Sequence, residues 1–157
     1  MNVWYVNSIL GTFRLEEENN AICGLALCPD GVPELEPLPR KVCETPLLQA
    51  AEEQLNEYFA GARREFDLPL APKGTPFQKA VWAEMCRIPY GETRTYGQLA
   101  AAVGKPKASR AVGGACHCNP IAILQPCHRV VGSTGKLTGY AYGVEMKQYL
   151  LELEQQE

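Results

Sequence analysis

Hydrophobic positions change their spacing along the chain, from short apolar runs near the N-terminus to helical spacing further on. Residues 3–6 and 21–27 are short runs rich in strand-forming side chains, and glycine and asparagine turn signals lie between them. We expect these runs to form a small antiparallel sheet. Residues 29–39 contain four prolines and one glycine, a composition that indicates a loop.

Helical spacing of apolar residues follows three capping patterns. Thr45 and Thr75 each precede a proline, a favourable start for a helix, and Thr95 has Gln98 three positions further on, as in a capping box. Gly61 ends the first helix, and a fourth and a fifth helix follow the break at residues 104–107. The predicted helices cover residues 46–60, 76–87, 95–103, 108–118 and 144–154.

The third and fourth predicted helices are joined by a tight turn that contains Gly104, the pattern of a helix-turn-helix. The second helix of the pair is rich in small residues, at positions 111 and 113–115. Each glycine weakens a helix by roughly 1 kcal/mol relative to alanine. The small residues are therefore expected where this helix lies very close to another surface, which is either a partner or a second helix of the protein.

Charge divides the chain into two parts. Residues 1–72 carry 5 Lys and Arg against 12 Asp and Glu, whereas residues 73–157 carry 10 against 6. No acidic residue lies between Glu92 and Glu145, an interval that holds six Lys and Arg and both histidines. Such a stretch is expected of a surface that binds phosphates, although a solvated basic face without a partner would have the same composition. We place the domain boundary between residues 72 and 73, where prolines, a glycine and the change of sign coincide.

Length and composition limit the class of protein. The 157 residues suffice for one domain or two small lobes, and 46% hydrophobic with 21% charged residues is ordinary for a globular protein. We find no apolar run long enough for a membrane helix and no export signal. The seven cysteines are an odd number without C-x-x-C spacing, which favours reduced thiols over a disulfide framework. We therefore expect a cytoplasmic protein, or a nuclear one in a eukaryotic cell.

The strongest candidate for chemistry is Pro126-Cys127-His128-Arg129, which follows a short apolar run at residues 121–124. At the unperturbed pKa of about 8.5 only a minority of a thiol is ionised at neutral pH, so a nucleophilic cysteine needs a base or a cation nearby. His128 and Arg129 supply one of each, and His128 can reach Cys127 through a water molecule. The alternative is that Cys127 is a small core residue.

A histidine that acts as a base needs an acceptor at its other ring nitrogen. Four carboxylates near the C-terminus are candidates, and spacing does not choose between Glu145, Glu152, Glu154 and Glu157. Cys116-His117-Cys118 is a poor metal site, because alternate residues of a helix do not converge on one ion. We therefore expect no bound metal.

Seven motifs occur in order in the second part of the chain. They are Gly74-Thr75-Pro76-Phe77-Gln78, Ile88-Pro89-Tyr90-Gly91, Thr95-Tyr96-Gly97-Gln98-Leu99-Ala100, Arg110-Ala111-Val112-Gly113-Gly114-Ala115, Asn119-Pro120, Pro126-Cys127-His128-Arg129-Val130 and Gly139-Tyr140. Several independent motifs in order are far more specific than any one of them. Together they resemble the O6-alkylguanine-DNA alkyltransferases over essentially all of residues 73–154. Residues 1–72 are similar to that family's N-terminal lobe in size and pattern.

The resemblance implies a fold of the α/β (α+β) class. Residues 1–72 would form a small N-terminal lobe, in which a helix accompanies a three-stranded antiparallel sheet of the ribonuclease H-like kind. Residues 73–157 would form a helical, winged-helix-like lobe that carries the helix-turn-helix.

The resemblance also implies direct DNA repair. The family flips an alkylated guanine out of the duplex, and a cysteine takes the alkyl group from O6 irreversibly, once per molecule. Cys127 matches that cysteine, His128 the water-bridged base, and Glu154 the carboxylate that orients the base. Tyr96 matches the phenol that donates a hydrogen bond to guanine N3. Asn119 matches the hinge between the recognition helix and the cysteine loop.

Further positions match family residues that contact DNA or the flipped base. Arg110 matches the arginine that enters the base stack in place of the flipped nucleotide. The other implied DNA-binding residues are Thr95, Lys105, Lys107, Ala111, Gly113 and Gly114. The implied substrate-pocket residues are Cys116, Val130, Tyr140 and Ala141. The implied partner is double-stranded DNA containing alkylated guanine, bound by a monomer with no cofactor and no membrane association.

Two departures from the family and two alternative functions bear on this interpretation. Tyr142 stands where many members have glycine, and its side chain would narrow the pocket. Some members bind zinc through histidine, but residues 1–72 contain no histidine to match those ligands. One alternative is a lesion binder that flips alkylguanine without taking the alkyl group; such proteins have another residue in place of Cys127. The other is a thiol hydrolase built on Cys127 and His128, which the basic helix-turn-helix disfavours.

Overall fold

The described part of the chain falls into two units, Met1–Pro72 and Lys73–Glu157. The structure is a computed structural model that describes residues 1–137 and 140–156. Gly139 of the last motif and the candidate carboxylate Glu157 therefore lie outside the described residues. In the described ranges, no helix is both long and apolar enough to cross a membrane.

The first unit contains the expected antiparallel strands and one further strand. Strands β1 (Asn2–Ser8), β2 (Gly11–Glu18) and β3 (Ala21–Cys28) pair in an antiparallel meander. Strand β4 (Lys41–Val42) pairs parallel with β1, so the sheet has four strands in the order β3-β2-β1-β4 rather than the three expected. The chain that leaves the proline-rich loop supplies β4, as the N–H of Lys41 donates to the Met1 carbonyl over 2.9 Å.

One helix covers the sheet residues that point to the core of the first unit. Helix α1 (Pro46–Phe59) begins at the predicted cap, where Thr45 Oγ1 accepts from the Leu48 N–H. The same hydroxyl donates to Glu17 Oε2 over 2.7 Å, which ties the start of the helix to β2. The core side chains include Val3, Val6, Phe13, Leu15, Leu25, Leu48, Ala51, Leu55 and Tyr58.

The second unit is helical, as expected. It contains α2 (Pro76–Met85), α3 (Tyr96–Ala102), α4 (Ser109–His117) and α5 (Val144–Gln155). Two-residue strands β5 (Arg94–Thr95) and β6 (Val130–Val131) pair parallel. Helix α2 is two residues shorter than predicted, and the capping boxes at Thr75 and Thr95 are both present.

Helices α3 and α4 form the predicted helix-turn-helix, with Gly104 in the connecting turn at a φ of +80°. The small residues of α4 face different surroundings. Ala115 is buried, and its carbonyl accepts a hydrogen bond from the Trp82 indole over 2.8 Å. Ala111 and Gly114 are exposed, and a Cβ added at Gly114 would meet nothing within 4 Å. Internal packing therefore explains part of the small-residue pattern and does not explain the small residues on the outward face.

Gly74 and Gly114 should respond oppositely to alanine. In Gly74→Ala the added Cβ would lie 2.5 Å from the buried Trp82 ring, so we expect the free energy of unfolding to fall by about 1–3 kcal/mol. Gly114→Ala lies in an open helix interior and should raise it by up to about 1 kcal/mol. Chemical denaturation of both variants measures these changes. Wild-type stability in Gly74→Ala would contradict the tight contact.

Candidate active site around Cys127

Cys127 lies in a buried segment held by short-range backbone hydrogen bonds. Every residue from 121 to 131 is buried, which confirms the prediction of a buried apolar run before the cysteine. The Cys127 N–H donates to the Gln125 carbonyl over 2.8 Å, and Cys127–Arg129 form a 3-10 turn that leads into β6. Ile123 adopts a φ of +68°, a conformation unfavourable for a β-branched residue that its surroundings must enforce. The backbone before Cys127 is therefore tightly determined.

Asn119 connects the end of α4 to this segment. Its Nδ2 donates to the Gln125 carbonyl over 2.8 Å, and its Oδ1 accepts from the Ile121 N–H over 3.1 Å and from Gln125 Nε2 over 2.7 Å. Each polar atom of the amide is thus used to brace the loop that precedes Cys127. Asn119 therefore links the end of α4 to the loop that precedes Cys127.

His128 and Glu154 form a buried pair. His128 Nε2 lies 2.6 Å from Glu154 Oε2, and His128 is fully buried. Burial alone would raise the pKa of Glu154, but hydrogen bonds from His128 and Arg129 lower it to about 2. Because an ionised carboxylate only accepts hydrogen bonds, Nε2 must carry the proton of this contact. Of the described candidates, Glu145 and Glu152 are exposed, and the structure brings Glu154 alone among them to the imidazole.

The second ring nitrogen of His128 is available as an acceptor. Among the described residues, Nδ1 is buried and has no hydrogen-bond partner, and the same is true of the Tyr140 hydroxyl. Burial lowers the pKa of His128 against the opposing effect of Glu154, so the ring is neutral at pH 7. Buried polar atoms without partners are rare in proteins and indicate a place for water or a ligand. A neutral imidazole protonated on Nε2 can take a proton at Nδ1.

Opposing effects act on the pKa of the Cys127 thiol. Burial raises its pKa above the ordinary value, while a hydrogen bond from Asn119, the charge of Lys147 and the N–H groups of Cys127 and His128 lower it. Burial is the largest of these effects, so the neutral thiol predominates at neutral pH. The surrounding donors are nevertheless placed to stabilise a thiolate once the proton has left.

The cationic side chain that acts on Cys127 is not the one that the sequence indicated. Arg129 was expected to serve Cys127 as a neighbouring cation, but its guanidinium faces Glu154, and Nε lies 2.8 Å from Oε1. Adjacent residues of a turn point in different directions, which accounts for this correction. The cation that acts on Cys127 is Lys147, which is 1% exposed and which sequence reasoning missed. A signal existed, since Lys147, Leu150 and Glu154 follow helical spacing on one face of α5.

The residues implied to line the substrate pocket differ in their solvent exposure. Val130, Cys116 and Tyr140 are buried, whereas Ala141 is exposed. Burial and the charge of Cys127 raise the pKa of Cys116 to about 12 and that of Tyr140 well above its ordinary value. The Tyr142 ring packs edge-on against Tyr140 at 5.9 Å between centroids. Cys116 and Tyr140 thus share the electrostatic environment of Cys127.

The residues implied to contact DNA lie on α3, on its N-cap residue, on α4 and on the turn that connects the two helices. Tyr96 is the first residue of α3 and is half-buried, with Lys147 Nζ 5.9 Å from its ring centroid. Thr95 is half-buried, and its hydroxyl accepts from the Gln98 N–H as the helix cap. Exposed positions are Lys105, Lys107, Arg110, Ala111 and Gly114, and Gly113 is half-buried. Lys105 Nζ lies 5.2 Å from the Phe77 ring.

The thiols and carboxylates of the described residues do not form a metal site. Within residues 1–137 and 140–156, no group of three His, Cys, Asp or Glu is placed to hold a metal ion. All seven cysteines are free thiols. Cys118, next to the candidate hinge, is exposed.

Comparison with known protein families yields two adjacent matches. Residues 76–156 match the family described as 6-O-methylguanine DNA methyltransferase, DNA binding domain. Residues 3–72 match the family described as 6-O-methylguanine DNA methyltransferase, ribonuclease-like domain.

Individual relatives agree with these matches. The chain is 61% identical over 105 residues to a methylated-DNA–protein-cysteine methyltransferase of Methanosarcina barkeri, covering 67% of this chain and 66% of that protein. It is 57% identical over 112 residues to the constitutive methylated-DNA–protein-cysteine methyltransferase of Bacillus subtilis, covering 71% and 68%. These alignments thus span about two thirds of each relative. The crystal structure of Mycobacterium tuberculosis OGT in complex with DNA is similar with a TM-score of 0.89 and 42% identity, over 99% of this chain and 93% of that one.

Loss of the Glu154 charge should destabilise the protein in a pH-dependent way. Glu154→Gln leaves Arg129 buried without its counter-charge, so we expect the free energy of unfolding at pH 7 to fall by about 3 kcal/mol. The folded-state pKa of Glu154 is lowered, so the ionised carboxylate stabilises fully above its unfolded-state pKa of 4.5, and this stabilisation is lost as the pH falls toward about 2. The difference between wild type and variant should therefore shrink over that range.

Chemical denaturation at a series of pH values measures this difference. Glu145→Gln is the matched control, because Glu145 is exposed on the same helix and its replacement should change stability by less than about 0.5 kcal/mol. A wild-type-to-Glu154→Gln difference that stays constant with pH would contradict the assigned ion pair.

Proposed function

The chain belongs to the 6-O-methylguanine DNA methyltransferase family, and from this premise we propose that it transfers the alkyl group of O6-alkylguanine in double-stranded DNA to its own Cys127. The observation that carries the proposal is the arrangement of Cys127, His128 and Glu154. A buried thiol is followed in the chain by a buried imidazole whose Nε2 is held by an ionised carboxylate and whose Nδ1 is a buried acceptor. In that arrangement His128 can remove the proton of the Cys127 thiol during the reaction, although both side chains are buried.

Transfer proceeds by displacement at the alkyl carbon. His128 Nδ1 takes the thiol proton, through a bridging water, and the sulfur electron pair of Cys127 forms the new S–C bond. The C–O6 bond breaks with its electron pair passing to the guanine ring. Guanine then takes up one proton at N1, which balances the proton lost from the thiol. The products are a thioether on Cys127 and an unmodified base.

Tyr96 is proposed to assist departure of the guanine. Its phenol would donate a hydrogen bond to N3 and so stabilise the negative charge that develops on the ring. Support comes from its position as the first residue of α3, half-buried and close to the Lys147 ammonium. A cation near the ring favours donation from the phenol.

The exposed face of the helix-turn-helix is proposed to bind the DNA. Flipping a base costs a few kcal/mol of stacking and pairing, and the planar guanidinium of Arg110 would fill the resulting gap. Arg110 is exposed in the first turn of α4, while the outward Ala111 and Gly114 allow close approach to a minor groove. Lys105 and Lys107 would contact phosphates. The DNA complex of the Mycobacterium tuberculosis relative supports DNA as the partner.

Consumption of the nucleophile limits each molecule to one reaction. A thioether is not cleaved by ordinary intracellular reductants, and the chemistry above requires no cofactor. We propose that the protein acts as a monomer in the cytoplasm, where its seven free thiols would remain reduced. Val130, Tyr140, Ala141 and Cys116 are proposed to surround the flipped base.

Cys127→Ala should bind methylated DNA but accept no methyl group, because the acceptor sulfur is absent. Intact-mass measurement after incubation with a duplex containing O6-methylguanine tests this. Wild type should gain the mass of one methyl group in place of one hydrogen, and Cys86→Ala, which removes an exposed cysteine of the same unit, should do the same. Wild-type protein that binds the duplex tightly without gaining mass would establish the lesion-binder alternative instead.

Arg110→Ala should impair repair in duplex DNA more than reaction with free O6-benzylguanine, because only the duplex requires the gap to be filled. We expect a loss of about tenfold in the rate on duplex and little change with the free base. Lys79→Ala, an exposed cation on α2, is the control. Equal losses on both substrates would argue against insertion of Arg110 into the base stack.

A further inference from the structure

Each guanidinium nitrogen of Arg129 has a hydrogen-bond acceptor inside the second unit. Nε donates to Glu154 Oε1 over 2.8 Å and Nη2 to Glu154 Oε2 over 3.0 Å, so two parallel hydrogen bonds join the residues. Nη1 donates to the Ile88 carbonyl over 2.7 Å, and the guanidinium lies 5.8 Å from the centroid of the Tyr90 ring. Arg129 is thereby fixed both to the turn after α2 and to α5.

The Glu154 carboxylate is in turn surrounded by donors. Oε2 accepts from His128 Nε2 and Arg129 Nη2, while Oε1 accepts from Arg129 Nε and from the Gly91 N–H over 3.3 Å. A carboxylate offers about four lone-pair sites, and these four donors occupy them. Loss of Arg129 would free two sites and allow the carboxylate to turn relative to the imidazole.

The charges that face His128 come from its own turn and from α5. Burial is the largest cause of its lowered pKa; Glu154 raises the pKa, whereas Arg129 and Lys147 lower it. Cys127 precedes His128 in the same turn. Cys86 follows the last residue of α2; burial raises the pKa of its thiol, and the charge of Arg129 acts in the opposite direction. Without Arg129, the negative charge of Glu154 would act on His128 with one cation fewer to oppose it. The protonated imidazole would then be favoured.

We propose that Arg129 is a positioning residue for alkyl transfer, which clamps Glu154 so that His128 stays neutral with Nδ1 open to the Cys127 proton. Arg129 acts through Glu154 and does not touch the reacting atoms. The inference rests on the proposed function for the reaction that the clamp serves. The charge state of His128, however, can be measured without DNA.

Two variants separate the charge of Arg129 from its paired hydrogen bonds. Arg129→Met removes both and keeps a long stem, whereas Arg129→Lys keeps the charge and loses the planar fork. The chain has two histidines, so an NMR titration of the imidazole resonances follows His128 with the exposed His117 as internal control. In Arg129→Met, His128 should titrate about one pH unit higher than in wild type, and His117 should not move.

Single-turnover transfer from a duplex containing O6-methylguanine supplies the second readout. In Arg129→Met the rate should fall by at most about threefold at pH 7 and by up to about tenfold at acid pH, where the imidazole of both proteins is mostly protonated. It should approach the wild-type rate at high pH, where His128 is neutral again. Arg129→Lys should show a smaller shift in the same direction. Arg87→Met is the control, because its exposed side chain pairs with Glu84 at 3.5 Å, and it should alter neither measurement.

Two results would overturn the proposal: a His128 titration in Arg129→Met that superimposes on wild type, or a rate loss that is equal at every pH. Should Arg129→Met not fold, Arg129→Lys decides, since an unshifted titration and pH profile there would overturn it as well. If wild-type protein transfers no methyl group, the proposed function fails, while the titration still decides the role of Arg129.

Discussion

An ionised carboxylate inside the second unit governs the chemistry around Cys127. A buried charge is unfavourable unless counter-charge and hydrogen bonds meet it, and Glu154 is met by His128, Arg129 and the Gly91 backbone. Because the carboxylate can only accept, His128 must present its protonated nitrogen to it. The other ring nitrogen is left as a buried acceptor, so the stabilisation of one buried charge determines which nitrogen of His128 can take a proton.

The segment that contains Cys127 is connected both to α4, on the candidate DNA-binding surface, and to α5. Asn119 joins the end of α4 to the backbone that precedes Cys127. Helix α5 contributes both Glu154 and Lys147, so one helix supplies the anion that orients the base and a cation that favours the thiolate.

Local signals predicted the five helices and the strands β1 and β3, and tertiary contacts supplied what those signals lacked. The threonine caps and the helix rich in small residues could be predicted because capping and helical spacing depend on residues only a few positions apart. Strand β4 was missed because two residues carry no periodicity, and its pairing depends on the edge of β1. The choice of Glu154 over Glu145 or Glu152 needed the orientation of α5. The true partner of Arg129 lies 25 residues away along the chain.

The protonation state of His128 in the free protein decides whether Glu154 prepares this imidazole to accept the Cys127 proton. Nitrogen-15 NMR of the imidazole distinguishes the two neutral tautomers and the imidazolium. The arrangement of Glu154 predicts a neutral ring at pH 7, with the proton on Nε2 and a bare Nδ1. A ring protonated on Nδ1, or one carrying both protons at pH 7, would contradict the assignment of His128 as the base that activates Cys127.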